Sequence, residues 1–287
     1  MIEAIARDTK SSEAIISDFR TYEDIFRCFD KPAIFFVMLQ SGFGEDVVKK
    51  FSHLLIQKYA YGNAGVVEWH DLIVEAAQNK LAGQFFNQYF TEPGVPLVRV
   101  AYQPDGVLLK QETIVAAKKA NNTSSLVIPL ELQTDQVKEA KQILFTAKEE
   151  TFALKHNGMV VVDPHRKTYA VVVYEAQIYS RLLQCAQTNA CAVVNSQNMR
   201  YIAEDFCWTF LNDLIEVNDE MPTDQVKVWS EFMRLLSLTP YVKGSCACCL
   251  DKNLTKSFNV PCKWHWKDRC EHIRLVRKVQ SFRNNNI

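Results

Sequence analysis

The chain of 287 residues carries 33 basic and 33 acidic side chains, with 48% hydrophobic and 23% charged residues, the balance of a globular protein with room for two or three folded modules. With no net charge it offers no bulk field for nucleic acid or an anionic membrane surface. No apolar run reaches the roughly 20 residues that a membrane span needs, and the opening MIEAIARDTKSSE lacks the basic and apolar regions of a signal peptide. Read as a complete chain, it is expected to be cytoplasmic.

From Met1 to Phe90 the pattern is helical. Ala33 to Leu39 is apolar on every face, which suggests a helix buried on all sides, and Gly42 and Gly44 punctuate its end. Phe35, Phe36 and Met38 at helical spacing read as core rather than as a cofactor box. Val47, Val48, Phe51, Leu54, Leu55 and Tyr59 recur at spacings of one, three and four, while Lys49, Lys50, Gln57 and Lys58 fall mainly on the other side. That is an amphipathic helix. A third helix is expected over Val66 to Asn79, with Val66, Trp69, Ile73 and Ala77 on one stripe, and a fourth over Leu81 to Phe90, with Phe85, Phe86, Tyr89 and Phe90 apolar. Pro93-Gly94-Val95-Pro96 ends the helices, because Pro removes a backbone donor and Gly costs helix stability.

A β-rich stretch follows. LVRVAY and VLLKQETI flank Gln103-Pro104-Asp105-Gly106, which reads as a hairpin turn because Pro sets one dihedral and Gly permits another. LVIPLEL, ILFTA, TFALK, MVVVD and YAVVVYE complete six or seven short strands, the pattern of a small β-sandwich. Asn157-Gly158 signals a second hairpin, and the polar Asp135 to Ala140 reads as a loop. From Ala176 the period is helical again, with stripes at Ile178, Tyr179, Leu182, Leu183 and Ala186, at Met199, Ile202, Ala203, Phe206, Phe210 and Leu214, and at Val226, Trp229, Phe232, Met233 and Leu236.

Several short motifs carry a family resemblance in their order and spacing. Asp30-Lys31-Pro32-Ala33, the GED of Gly44 to Asp46, the KYAYGNA of Lys58 to Ala64 and the TEPGVPLVRV of Thr91 to Val100 resemble the end of the catalytic domain, and the passage into a β-sandwich, of zinc aminopeptidases typified by aminopeptidase N. YAVVVYE (Tyr169 to Glu175) and NMRYIAEDF (Asn198 to Phe206) extend the likeness, which covers about residues 5 to 240. The resemblance implies an α+β multidomain fold: the helical end of a thermolysin-like catalytic domain (1–92), a small β-sandwich (93–175) and the start of an α-helical, HEAT-like C-terminal domain (176–287).

The resemblance also makes certain differences conspicuous. Such enzymes hold zinc through a helical H-E-x-x-H whose Glu is the general base, plus a downstream Glu. Here His53, His70, His156, His165, His265 and His272 include no pair four apart. In the family this motif and the Gly-Ala-Met-Glu-Asn loop that binds the substrate amine precede the segment matched by this chain, so no cofactor is expected in it. A Tyr that opens the buried helix donates to the oxyanion in that family, a contribution of about 2.7–4 kcal/mol for donors of this kind. The matching position is Phe29, a ring of similar shape with no donor. Pro32 stands in place of a Gly, where the first turn of a helix would tolerate it, and Val171 stands in place of an Arg. No catalytic or metal-ligating residue is therefore assigned.

The tail gathers Cys246, Cys248, Cys249, Cys262 and Cys270 with His265 and His272. Their spacing matches no named zinc finger, so a zinc site, disulfides and free thiols all remain open. Lys263, Lys267, Arg269, Arg274, Arg277, Lys278 and Arg283, with Trp264 and Trp266, form a basic stretch that more often marks a solvated helix end than a nucleic-acid surface. The expected function is that of a truncated, catalytically inactive aminopeptidase N-like protein that binds or scaffolds. Its partner would be a peptide or protein, such as an intact relative or its own N-terminal half, with no nucleic acid and no membrane span. The alternative is a fragment of a longer zinc aminopeptidase that removes N-terminal residues from peptides, placed at the plasma membrane or outside the cell.

Overall fold

The computed structural model describes Ile5 and residues 22–115, 118–119, 125–135, 137–153, 158–188 and 191–211. It is an α+β structure. Four helices come first: α1 (Tyr22–Phe43), α2 (Glu45–Tyr59), α3 (Val66–Ala77) and α4 (Lys80–Phe90). Eight strands follow, β1 (Val95–Gln103), β2 (Gly106–Val115), β3 (Lys118–Lys119), β4 (Ile128–Thr134), β5 (Val137–Phe145), β6 (Glu149–Ala153), β7 (Val160–Val162) and β8 (Val171–Tyr174). Helices α5 (Ala176–Thr188) and α6 (Ser196–Leu211) complete the described part. The stripe at Val226 to Leu236 and the cysteine-rich tail lie outside the described residues.

Helix α1 lies against α4 on one side and against β4 and β5 on another. Phe35 is its hub, stacked on Phe85 at 4.8 Å and edge-on to Phe86 and Phe90. Each such ring pair adds about 0.5–1.5 kcal/mol to the burial itself. The same helix presents Gly42 to the sheet, where an added Cβ would stand 2.9 Å from Pro129 and 3.0 Å from Leu144. Only a residue without a side chain allows that approach. The expectation of a helix buried on every side fails: Phe35, Met38 and Leu39 are buried, but Val37 is 46% exposed. The described elements that pack against α1 leave its Val37 side open, so an all-apolar run here is one-sided. Pro32 is also interior to α1 rather than in its first turn. The helix starts ten residues earlier, at Tyr22, so the proline removes a hydrogen bond in mid-helix.

Helix α2 buries Phe51, and its other predicted apolar positions are half-buried. Helix α3 buries Leu72, Ile73 and Ala76, whereas Val66 is exposed at its first turn. It ends at Ala77, two residues short of the predicted Asn79, because Gln78 adopts the left-handed conformation and returns its N–H to Val74 O. Asn79 then caps α4 by accepting from Leu81 N–H.

Two sheets follow. The first is ordered β3-β2-β1-β8 with β6 also on β2, and the second β5-β4-β7. The hairpin expected at Gln103 to Gly106 forms, with Gln103 opposite Gly106 across the β1–β2 ladder. Asn157 of the second expected hairpin lies outside the described residues, but the flanking strands do not pair with each other: β6 pairs with β2, whereas β7 pairs with β4. Most of the loop expected over Asp135 to Ala140 is strand, since β5 begins at Val137 and pairs with Thr134 across a register shift in β4. Strand β8 runs parallel to β1, with Leu97 opposite Val171.

Two buried glutamines join the layers. Gln88 of α4 donates to Val127 O and accepts from Val127 N–H, and Gln111 of β2 does the same with Leu126. Each amide supplies the donor and acceptor that a neighbouring strand would, so the approach to β4 keeps its backbone paired while buried. The backbone N–H of Tyr169 points at Met38 Sδ, 3.0 Å away, fixing α1 to the start of β8. Cys185 and Cys191 form a disulfide with their Cα atoms 5.2 Å apart. A closed loop this short restricts the unfolded chain by about 2 kcal/mol in the chain-entropy account.

Gly106 starts β2 where a Cβ would lie 2.1 Å from the Phe152 carbonyl oxygen, while at Gly62 the nearest atom would be 3.7 Å away. Gly106→Ala is therefore expected to lose about 1–3 kcal/mol and Gly62→Ala to change little, measured from urea unfolding midpoints of the two variants.

Candidate functional site

The positions singled out by sequence do not converge on one pocket. Phe29 belongs to α1, but its side chain lies outside the described residues. Two residues on, Lys31 is buried with its ammonium 5.6 Å from the centre of the Tyr169 ring. Val171 is fully buried on β8. His53 is exposed on α2, and His70 on α3 contacts the adjacent Asp71. His156, His265, His272 and the tail cysteines fall outside the described residues. Among the described residues no group of three or more His, Cys, Asp or Glu is placed to hold a metal ion. These side chains do not fit the zinc that the resemblance implies.

What the structure does bring together is charge around the corner between β7 and β8. Asp163 and Arg166 both adopt positive φ, 51° and 54°. That conformation is uncommon outside glycine, with Asp among the more tolerant residues. The twist lets Asp163 accept from its own corner: Lys167 N–H donates to Oδ1 at 2.9 Å and Thr168 N–H to Oδ2 at 3.1 Å. It also turns the Arg166 side chain inward to Asp205 of α6, with Nη1 2.6 Å from Oδ2. The same Oδ2 accepts from Val172 N–H at 3.0 Å, so one carboxylate holds both the corner and strand β8 to the helix. The Tyr201 ring lies 5.9 Å from the guanidinium.

Both carboxylates are difficult to ionise here. Burial pushes Asp163 up to about 6, against the attraction of Arg166 and the two backbone donors, with the Asp205 charge adding to the rise. Burial likewise raises Asp205, opposed by the charge and hydrogen bond of Arg166 and by Val172 N–H. For Arg166 burial works against the charge, but Asp205 outweighs it and the guanidinium is held above its ordinary value.

On the other side of the corner, the buried carboxylate of Glu131 on β4 receives His165 Nδ1 and Lys167 Nζ, each at 2.6 Å, and Gln142 Nε2. Burial opposes its ionisation, but hydrogen bonds from Lys167 and His165 prevail and hold it below the usual carboxylate range. Thus one four-residue run, His165 to Thr168, ties β4 on one side and α6 on the other.

The cavity beside Arg166, lined among others by Asn198, Tyr201 and Ile202, measures about 10 Å³. That is room for a single water, not for an amino-acid side chain. The cluster holds two carboxylates and one guanidinium that bond to one another and to backbone, so it acts as a clamp. Sequence reasoning missed it because its members are separated in the chain and only the backbone twist at Asp163 and Arg166 unites them. The one local signal was DPHRKT, in which Asp precedes backbone donors at turn spacing. The Cys185–Cys191 pair has no spacing motif that sets it apart from the denser cysteines of the tail.

Removing the Asp205 carboxylate would leave Arg166 as a buried, uncompensated charge. Asp205→Ala is expected to lose about 3–5 kcal/mol of stability, and Arg166→Met in the same chain to recover part of it, as read from urea denaturation of the two variants.

No family model matches the chain. It is 23% identical over 243 residues to "Matrix non-peptidase homolog 1" of Caenorhabditis elegans, covering 83% of this chain and 29% of that protein. It is 25% identical over 192 residues to "Aminopeptidase M1-A" of Oryza sativa subsp. japonica, covering 62% of this chain and 22% of that protein. The chain thus spans less than a third of the length of either relative. It is distantly similar to an aminopeptidase and to a homologue described as not a peptidase.

Proposed function

We propose that this chain is an aminopeptidase N-like protein without peptidase activity, whose role is to bind or scaffold a peptide or protein partner. The observation that carries this reading is the similarity along 83% of the chain to a protein named a non-peptidase homolog. Phe29 gives it a physical reason: where the resemblance calls for a phenol that donates to the oxyanion, a phenyl ring offers no hydrogen bond, a loss worth about 2.7–4 kcal/mol of barrier for donors of this kind. Zinc would have to be held by residues other than those described, so no catalytic step is assigned to this chain.

In this reading residues 1–92 are the helical end of a thermolysin-like domain, 93–175 a β-sandwich and 176–287 the opening of a HEAT-like helical domain. The Cys185–Cys191 disulfide supports an oxidising compartment such as the cell exterior over the cytosol. Among the described residues no helix is long and apolar enough to cross a membrane. The similarity to Aminopeptidase M1-A favours a second reading, in which these residues are part of a longer zinc aminopeptidase acting on the N-termini of peptides.

The purified chain is expected to hydrolyse an aminoacyl reporter no faster than buffer, with or without added zinc, and Phe29→Tyr is expected to leave that unchanged. Zinc-dependent turnover by the unaltered chain would overturn the non-peptidase reading, and a longer zinc-loaded native species that contains this chain and hydrolyses the reporter would favour the second.

A further inference from the structure

The corner cluster places two carboxylates and one guanidinium in the interior, so it carries one negative charge in excess. We propose that Asp163, Arg166 and Asp205 form a proton-linked clamp, in which one proton taken up by Asp163 on mild acidification tightens the hold of the β7–β8 corner on α6.

The division of labour follows from geometry. Asp205 is 2.6 Å from Arg166 Nη1 and accepts from Val172 N–H, so it is the carboxylate paired with the cation. The oxygens of Asp163 accept from the backbone N–H groups of Lys167 and Thr168, weaker partners for an anion than a guanidinium. The groups that face Asp163 are Arg166 from its own corner, Tyr174 of β8, Tyr89 of α4 and Asp205 of α6. Beyond them Glu204 of α6 faces Arg166 and pairs with Arg200. Arg166 is thus the one cation in this set that faces Asp163, and Asp205 already occupies it. A proton on Asp163 leaves a neutral Arg166–Asp205 pair in the interior and removes the repulsion between the two carboxylates.

The direction is fixed by linkage. In the folded chain Asp163 binds its proton at about 6, above the ordinary 3.8, so the folded state holds more protons than the unfolded one between those values. Stability from this group rises as pH falls through 6 and levels off below about 4. Glu131 acts in the opposite sense. Its folded value is depressed, and its contribution is lost only as pH falls below the ordinary carboxylate range; Asp205 and Glu175 are raised as Asp163 is, so Asp163 is isolated by comparison with Asp163→Asn.

Amide hydrogen exchange of the full chain tests the clamp. Between pH 7.5 and 5.0, protection of Ile202 and Phe206 in α6, corrected for intrinsic exchange, should rise about tenfold in the unaltered chain and not in Asp163→Asn. An equal change in both, or none in the unaltered chain, would overturn it. Should Asp163→Asn not fold, the carboxyl carbon of Asp163 in the unaltered chain decides: a titration midpoint near 6 supports the clamp, and one near 3.8 refutes it.

Discussion

The structure depends on how closely α1 can lie on the second sheet and on α4. Gly42 sets the first distance, because a Cβ there would stand 2.9 Å from Pro129. Phe35 sets the second, through rings from Phe85, Phe86 and Phe90. Once α1 is seated, Met38 meets the backbone of Tyr169 and thereby fixes where β8 begins. Strand β8 then takes its place beside β1, and the corner preceding it delivers Arg166 to α6. An apolar contact at one end of the chain therefore decides where a buried charge falls at the other.

Polar groups do the joining where apolar surface alone would be indifferent to register. Gln88 and Gln111 substitute for a strand along Leu126 and Val127, and each would leave buried backbone groups unpaired if lost, at a cost of about 1–3 kcal/mol per group. Asp205 does the same for Val172 N–H while neutralising Arg166. Such contacts are specific because they can be satisfied in one arrangement only. The space beside Arg166 is the size of a water.

Much of this was legible in the residues. Phe85, Phe86, Tyr89 and Phe90 at helical spacing announced the buried face of α4, and Gln103-Pro104-Asp105-Gly106 announced the turn that joins β1 to β2. Local chemistry determines both. The Asn157-Gly158 signal misled because a turn dipeptide reports only the bend, not whether the strands on each side share a sheet. Parallel pairing of β8 with β1 depends on contacts between Leu97 and Val171, which no short window contains. The clamp was hidden for a related reason: Asp163, Arg166 and Asp205 look like solvated charges until Asp163 and Arg166 are seen at positive φ. At Phe29 the likeness to aminopeptidases rests on sequence motifs alone.

On the proposed function, this protein keeps an aminopeptidase-like form without its chemistry. Mass and zinc content of the native species isolated from its own cells, with aminoacyl hydrolysis assayed on the same material, decide the matter. A species without stoichiometric zinc and without hydrolysis is expected. A zinc-loaded species that contains this chain and hydrolyses the reporter would contradict it.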